Sequence, residues 1–273
     1  MNKLSLREHQ LLCLGILKDV HAFCVKNNIH YSLAYGTLIG AIRHQGFIPW
    51  DNDIDIVMPR SEYEKFIHSY ESDKYRLFFH QKDKNTDCLI AYARVCDSKK
   101  TISPNQCWTK QSCGVWIDVF PLDGVPENYL EFQDYYRKLC SMHRPESRFR
   151  LRYVSIRYKE GFMHKIKLPF RKLLLANKRK GHEFESEYIR EISSVDANAT
   201  GYCSQLAVLD NGPVEHIPLE DISSFELRRF EDADFYVMKG CDHVLRMVYG
   251  DYMKMPSEED RIPNDSYLKF YWR

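Results

Sequence analysis

Four aspartates are the residues whose type and spacing point most directly to chemistry. Asp51, Asp53 and Asp55 alternate with Asn52, Ile54 and Ile56 in the run D-N-D-I-D-I. In an extended strand successive side chains point to opposite faces. The three carboxylates then share one face at intervals of about 6.6 Å, while Ile54 and Ile56 anchor the other. Like charges in a row repel, and a divalent cation with oxygen ligands offsets them. Asp118 lies in V-W-I-D-V-F. A lone carboxylate inside so apolar a strand is costly unless it is paired or ligates something, which makes Asp118 a candidate third ligand. Each has a structural alternative: Asp and Asn favour turns, and Asp118 suits a buried salt bridge or a strand-end cap. An EF-hand loop is excluded, because its glycine at position six and its distal glutamate are missing.

Phosphate is the second chemistry the residues allow. Gly36-Thr37 follows a predicted strand and opens a predicted helix. N–H groups at a helix start attract anions, glycine permits close approach, and the threonine hydroxyl can donate. Arg43 and Arg94 offer guanidinium forks to phosphate oxygens. A simple turn with an N-cap, and two surface arginines, are the structural alternatives.

The elements that must position these residues follow from patterning. Ser5 and Glu8 predict a capping box at the head of an amphipathic helix over 4–27. A short strand over 30–35 precedes the Gly-Thr helix, which Gly46 stops. The aspartate run predicts a strand ended by Pro59, with a helix from Ser61 to about Tyr70. Strand-like runs occupy 76–80, 89–95 and 114–120. Helical texture resumes near Leu130, Phe225–Met238 suits a hairpin, and 242–249 a last helix before Gly250. Strands and helices alternate early and helices dominate later. The fold class is therefore α+β with an α/β-like core: a mixed sheet flanked by helices, plus a mostly helical basic addition. The expected divisions are a core over 1–125, a basic helical region over 126–215, and a segment over 216–273 that packs back on the core.

With 273 residues the chain can bury a sizeable core, and 39 Lys plus Arg against 38 Asp plus Glu give a net charge of +1. That balance excludes a wholly basic nucleic-acid coat protein and an acidic disordered chain. The charge is uneven, however. From Arg137 to Lys180 fifteen basic residues face only Glu146 and Glu160, a local +13 that leaves the remainder near −12. Apolar residues interleave with the bases over 161–178, as in an interfacial helix interrupted at Pro169. An acceptor-binding face is the alternative there, and no nucleic-acid module is recognised. Nine cysteines contain no C-x-x-C pair, which disfavours a zinc ribbon. Charges interrupt the early apolar residues and no uncharged apolar run reaches roughly 18, so neither a secretory leader nor a spanning helix is expected. The expected location is cytoplasmic, with reduced thiols, or peripheral on the inner face of the cytoplasmic membrane.

In combination these elements resemble the nucleotidyltransferase superfamily, and most specifically the LicD family, itself similar to the carboxy-terminal domains of fukutin and fukutin-related protein. The resemblance rests on Y-G-T-L-I-G-A-I-R-H-Q-G-F-I-P-W-D-N-D-I-D-I at 35–56, A-R-V-C-D-S at 93–98, W-I-D-V-F-P-L-D at 116–123 and Y-G-D-Y-M-K-M-P at 249–256. Asn52 stands where many LicD-like sequences carry another Asp. The resemblance implies a nucleotidyltransferase-type fold and a metal-dependent phosphotransferase. Such an enzyme moves phosphocholine, or a similar phospho-alcohol, from a CDP-linked donor such as CDP-choline to a sugar of teichoic acid, lipopolysaccharide or capsule. It implies Mg²⁺ or Mn²⁺ held by Asp53 and Asp55, with Asp118 completing the site and Asp51 as an additional ligand. Gly36 and Thr37 would cradle phosphate, Arg43 and Arg94 would stabilise developing charge, and one carboxylate, such as Asp118, would take the acceptor's proton. The acceptor glycan would be lipid-linked or membrane-anchored, and the basic tract 137–180 would make peripheral contact with an anionic membrane surface. Transfer of NMP to a small hydroxyl and an inactive glycan-binding module are the competing functions.

Overall fold

The predicted capping box closes. The Glu8 backbone N–H donates to Ser5 Oγ at 3.3 Å, and the Ser5 backbone N–H donates to Glu8 Oε2 at 2.8 Å. Two otherwise orphaned donors are satisfied, and helix α1 runs Leu6–Lys26. Its apolar stripe, including Cys13, Ile16, Leu17, Val20 and Cys24, is fully buried and lies against the central sheet. This computed structural model describes residues 2–80, 88–103, 109, 112–150, 178–262 and 269–273, and within helices it describes no side chains at 143–150 and 178–181.

After α1 come β1 (Ser32–Leu33), α2 (Tyr35–Ile39) continued by a π turn over Gly40–His44, β2 (Asp55–Pro59) and α3 (Arg60–Ser69). Strands β3 (Arg76–Phe78), β4 (Ala93–Cys96), β5 (Thr101–Ile102) and β6 (Trp116–Gly124) follow, then helices α4 (Tyr129–Arg150) and α5 (Lys178–Ile192). The chain ends with β7 (Tyr202–Ser204), β8 (Ile217–Pro218), the hairpin β9 (Phe225–Phe230) and β10 (Ala233–Met238), α6 (Cys241–Tyr249) and β11 (Tyr271–Trp272). The main sheet has the order β1-β2-β6-β4-β3, with β7 paired to β6 and β8 to β7. Only β2 and β6 run parallel within it. This mixed sheet with packed helices is the α+β class that the patterning predicts.

Several boundaries differ from the sequence expectation. The aspartate run is not one strand, because β2 begins at Asp55. Its partner β1 is only two residues long and reaches Ile56 and Val57. The preceding residues find other partners. Asp51 N–H donates to Ile48 O at 2.9 Å, and Gln10 Nε2 of α1 donates to Asp51 O at 2.7 Å. Helix α3 starts from Pro59 with no side-chain cap, so Ser61 is inside the helix. Strand β4 begins at Ala93 and β6 runs on to Gly124, where β7 pairs with its last two residues. Thus β7 and β8 extend the sheet begun by the first 125 residues. The helix predicted over 161–178 and most of the basic tract 137–180 lie outside the described residues. Among the described residues no helix is long and apolar enough to cross a membrane, and seven of the eight described cysteines are buried.

One ion pair ties a helix to the sheet from within. Asp123, buried at the end of β6, accepts from Arg60 Nε at 2.6 Å and from Nη2 at 2.7 Å. Both charges are held with fork geometry. Removing one partner of a buried pair leaves the other uncompensated, so Asp123→Ala is expected to lower stability by about 3 kcal/mol. Urea unfolding of wild type and variant measures this, and a loss within error of zero would contradict the assignment.

Candidate active site

Strand register builds the site. Asp55 on β2 lies opposite Asp118 on β6, and Asp118 lies opposite Arg94 on β4. Residues directly opposite across neighbouring strands point to the same face, so three strands place carboxylate, carboxylate and guanidinium in one row. Arg94 Nε donates to Asp118 Oδ1 at 2.5 Å and Nη2 to Oδ2 at 3.3 Å. Arg94 Nη2 also donates to Tyr92 Oη at 2.6 Å. The guanidinium is stacked over Trp116, 4.5 Å from the ring centroid. Arg94 is therefore a buried, oriented cation, not a surface residue.

Asp51 and Asp53 approach this row from the segment before β2. Helix α1 fixes that segment through the Gln10 bond and through Cys13, whose thiol lies 4.0 Å from Asn52 O and 3.5 Å from Trp116 O. Asp118 N–H donates to Ile54 O at 3.0 Å, which docks the segment on β6. Asp51 Oδ1 accepts from Asn52 N–H at 3.0 Å.

Gly36 and Thr37 face the aspartates. A Cβ on Gly36 would sit 2.4 Å from Asp51 Oδ2, so only glycine admits that carboxylate. Thr37 Oγ1 accepts from Asp55 N–H at 3.0 Å. Both residues thus hold the carboxylates in place. Arg43 points elsewhere: its Nη1 donates to Tyr252 O at 2.6 Å and is 3.4 Å from Lys254 O. It clamps the Y-G-D-Y-M-K-M-P segment to the helix after β1, and Gly250 of that segment ends α6 at φ +64°.

The electrostatics are dominated by burial of like charge. Burial pushes the Asp55 carboxyl up, and Asp53, Asp118 and Asp51 push it further, with Arg94 opposing. Burial also pushes up Asp118, although Arg94 and a hydrogen bond from Trp116 pull it back. Asp53 is exposed as a residue, yet its carboxyl lies among enough protein that burial, with Asp51 beside it, pushes it up to about 8. Asp51 and Asp53 share a side-chain hydrogen bond. Two carboxylates can share one only by keeping a proton between them. Among the described residues no three Asp, Glu, His or Cys side chains form a ready-made metal cage. The expectation that Asp51, Asp53 and Asp55 share one strand face is corrected, because only Asp55 lies in β2. Mg²⁺ does not need such a cage, since it binds one or two carboxylates and completes its shell with water and substrate phosphates. Oxygen donors that retain a proton for want of a counter-charge fit such a hard cation.

Patterning missed one acidic residue nearby. Glu215 is only 6% exposed. Its Oε2 accepts from Tyr35 Oη at 3.1 Å, and its Oε1 is 3.5 Å from Asn211 Nδ2. Tyr35 holds φ at +49°, a left-handed conformation unusual for an aromatic residue. No motif or periodicity marks Glu215; a lone acid in N-G-P-V-E-H reads as loop.

Comparison with known proteins bears on the same elements. The family model described as "LicD/FKTN/FKRP, nucleotidyltransferase domain" matches residues 28–155, which include all four aspartates and Arg94. The chain is 34% identical over 276 aligned positions to the lipopolysaccharide cholinephosphotransferase LicD of Haemophilus influenzae, covering 97% of each protein. It is also 42% identical over 65 positions to an uncharacterized protein of Rickettsia typhi, covering 23% of this chain and 21% of that protein.

Burial pushes the Glu215 carboxyl up to about 7, against the bonds from Tyr35 and Asn211. Such a group keeps its proton in the folded state after the unfolded chain has released it. Stability is then greatest below the ordinary carboxylate range and falls as pH rises through about 7. The raised aspartates act in the same direction. Thermal unfolding from about pH 5 to about pH 8 is expected to show this fall, and Glu215→Gln to flatten part of it. An unchanged slope in the variant would contradict the assignment.

Proposed function

Because the chain belongs to the LicD family, we propose that it transfers phosphocholine from a CDP-linked donor, CDP-choline, to a sugar hydroxyl of a cell-surface glycan. Lipopolysaccharide is the first acceptor to test, since the relative from Haemophilus influenzae is named for it. The observation that carries this reading is the register-matched row Asp55–Asp118–Arg94 with Asp51 and Asp53 beside it.

In the reaction the acceptor oxygen bonds to the choline-bearing phosphorus, the bond from that phosphorus to the bridging oxygen breaks, and CMP leaves. The hydroxyl proton goes to a carboxylate. Asp118 has both oxygens engaged by Arg94 and serves better as a charged anchor. Asp53 is the exposed one of the four, open to an acceptor arriving from solvent. Arg94, fixed by Asp118, Tyr92 and Trp116, presents positive charge at the edge of the row without having to reorganise. Gly36 and Thr37 keep Asp51 and Asp55 where they are. A divalent cation, Mg²⁺ or Mn²⁺, held by Asp53 and Asp55 with Asp51 or Asp118, would neutralise charge on the pyrophosphate.

Purified protein with Mg²⁺, a lipopolysaccharide acceptor and CDP-choline, CDP-ribitol, CDP-glycerol or NTPs tests the reading. CMP release from CDP-choline is expected, abolished by EDTA. Asp55→Asn is expected to cost at least about 10²-fold in turnover, as loss of one preorganised charge-stabilising group does. Pyrophosphate release from an NTP, without CMP release from any CDP donor, would instead support nucleotidyl transfer. Near wild-type turnover of Asp53→Asn, Asp55→Asn and Asp118→Asn alike would refute the site.

A further inference from the structure

A small recess opens beside the carboxylate row, and nothing in the chemistry described above uses it. Val57 and Leu122 form part of its floor. Val57 is two residues beyond Asp55 on β2, and Leu122 is four beyond Asp118 on β6. Alternate residues of a strand share a face, so the recess lies on the same side of the sheet as the aspartates. From Asp55 to Val57 the step is about 6.6 Å. Helix α6 supplies one wall with Val244, Leu245 and Val248, and Tyr35 and Tyr249 add aromatic rings. Tyr249 is 44% exposed, and the charges of Asp55, Glu215, Asp51 and Asp53 all act on its hydroxyl. The recess and the carboxylate row are therefore electrostatically one neighbourhood.

The single acidic group in this lining is Glu215. We propose that the recess between β2, β6 and α6 is the headgroup subsite, and that Glu215 with Tyr35 and Tyr249 selects a quaternary ammonium there. The assignment rests on the phosphocholine-transfer reading and specifies which part of the donor this face recognises. Three features of the lining select that chemistry. The walls are mostly aliphatic, and they match methyl groups better than the hydroxyls of a polyol, which would lose their hydrogen bonds on entry. Aromatic faces attract a cation, most strongly when it is desolvated. Finally, the Glu215 oxygens already receive Tyr35 Oη and Asn211 Nδ2. A primary ammonium brings three donors that need acceptors; a quaternary ammonium brings charge and none.

Two measurements on the full-length protein test this independently. Calorimetric titration with tetramethylammonium chloride probes the subsite without any reaction. Wild type is expected to bind it, and Glu215→Gln and Tyr249→Leu to weaken binding by about tenfold, the scale of one desolvated cation–π contact. In steady-state kinetics both variants are expected to raise KM for CDP-choline by a similar factor, leave kcat within about twofold, and lose preference for CDP-choline over CDP-ethanolamine. Tyr249 is partly exposed, so its variant carries the test even if Glu215→Gln loosens the fold. Turnover of CDP-choline by wild type with no tetramethylammonium binding, or with KM unchanged in both variants, would overturn the subsite and leave the transferase reading standing. Glu215-dependent tetramethylammonium binding without CMP release from CDP-choline would do the reverse.

Discussion

Four carboxylates gathered where β2 begins beside β6, with one buried guanidinium against them, are the constraint around which this molecule is arranged. Burial and mutual repulsion push Asp53, Asp55 and Asp118 towards their neutral forms. Left to themselves they would move apart or keep their protons. The structure opposes the first outcome at several points: the β2–β6 register, the bond from Thr37 to the Asp55 backbone, the gap at Gly36 and the grip of Gln10 on Asp51. Stability is given up locally so that negative charge stays concentrated, and concentrated negative charge is useful where a cation and a pyrophosphate must meet.

The surrounding fold distributes that cost. Helix α1 buries its stripe against the sheet and also reaches the segment carrying Asp51 and Asn52. Arg60 and Asp123 lock α3 to β6, five residues beyond Asp118. Arg43 fastens the chain after α6 to the turn after α2, which carries Tyr249 towards the same face. Segments far apart in sequence thus converge on one side of a mixed sheet. The recess under α6 lies where the carboxylate row gives way to apolar lining, which suits a donor with an anionic centre and a methylated cationic end.

What the sequence made legible was mostly local. The Ser5–Glu8 box, the β9–β10 hairpin and the end of α6 at Gly250 each depend on a few neighbouring residues. Alternation around Asp118 revealed a carboxylate on an otherwise apolar strand, but not that Arg94 would meet it, because register between strands is set by long-range packing. The D-N-D-I-D-I run misled for a similar reason. Its alternation is that of a strand, yet β1 is too short to pair with its first half, and α1 takes those residues instead. Gly36 and Arg43 were read for phosphate. In the folded chain Gly36 makes room for Asp51, and Arg43 holds backbone carbonyls. Glu215 carried no local signal at all; only burial and Tyr35 reveal it.

Electron paramagnetic resonance of Mn²⁺ titrated into the protein together with CDP-choline interrogates the carboxylate row itself. One equivalent of bound Mn²⁺, strengthened by the nucleotide and lost in Asp55→Asn, is the predicted result. Uptake that is the same in wild type and variant, or no uptake with the nucleotide present, would contradict the idea that these side chains are concentrated for a divalent ion.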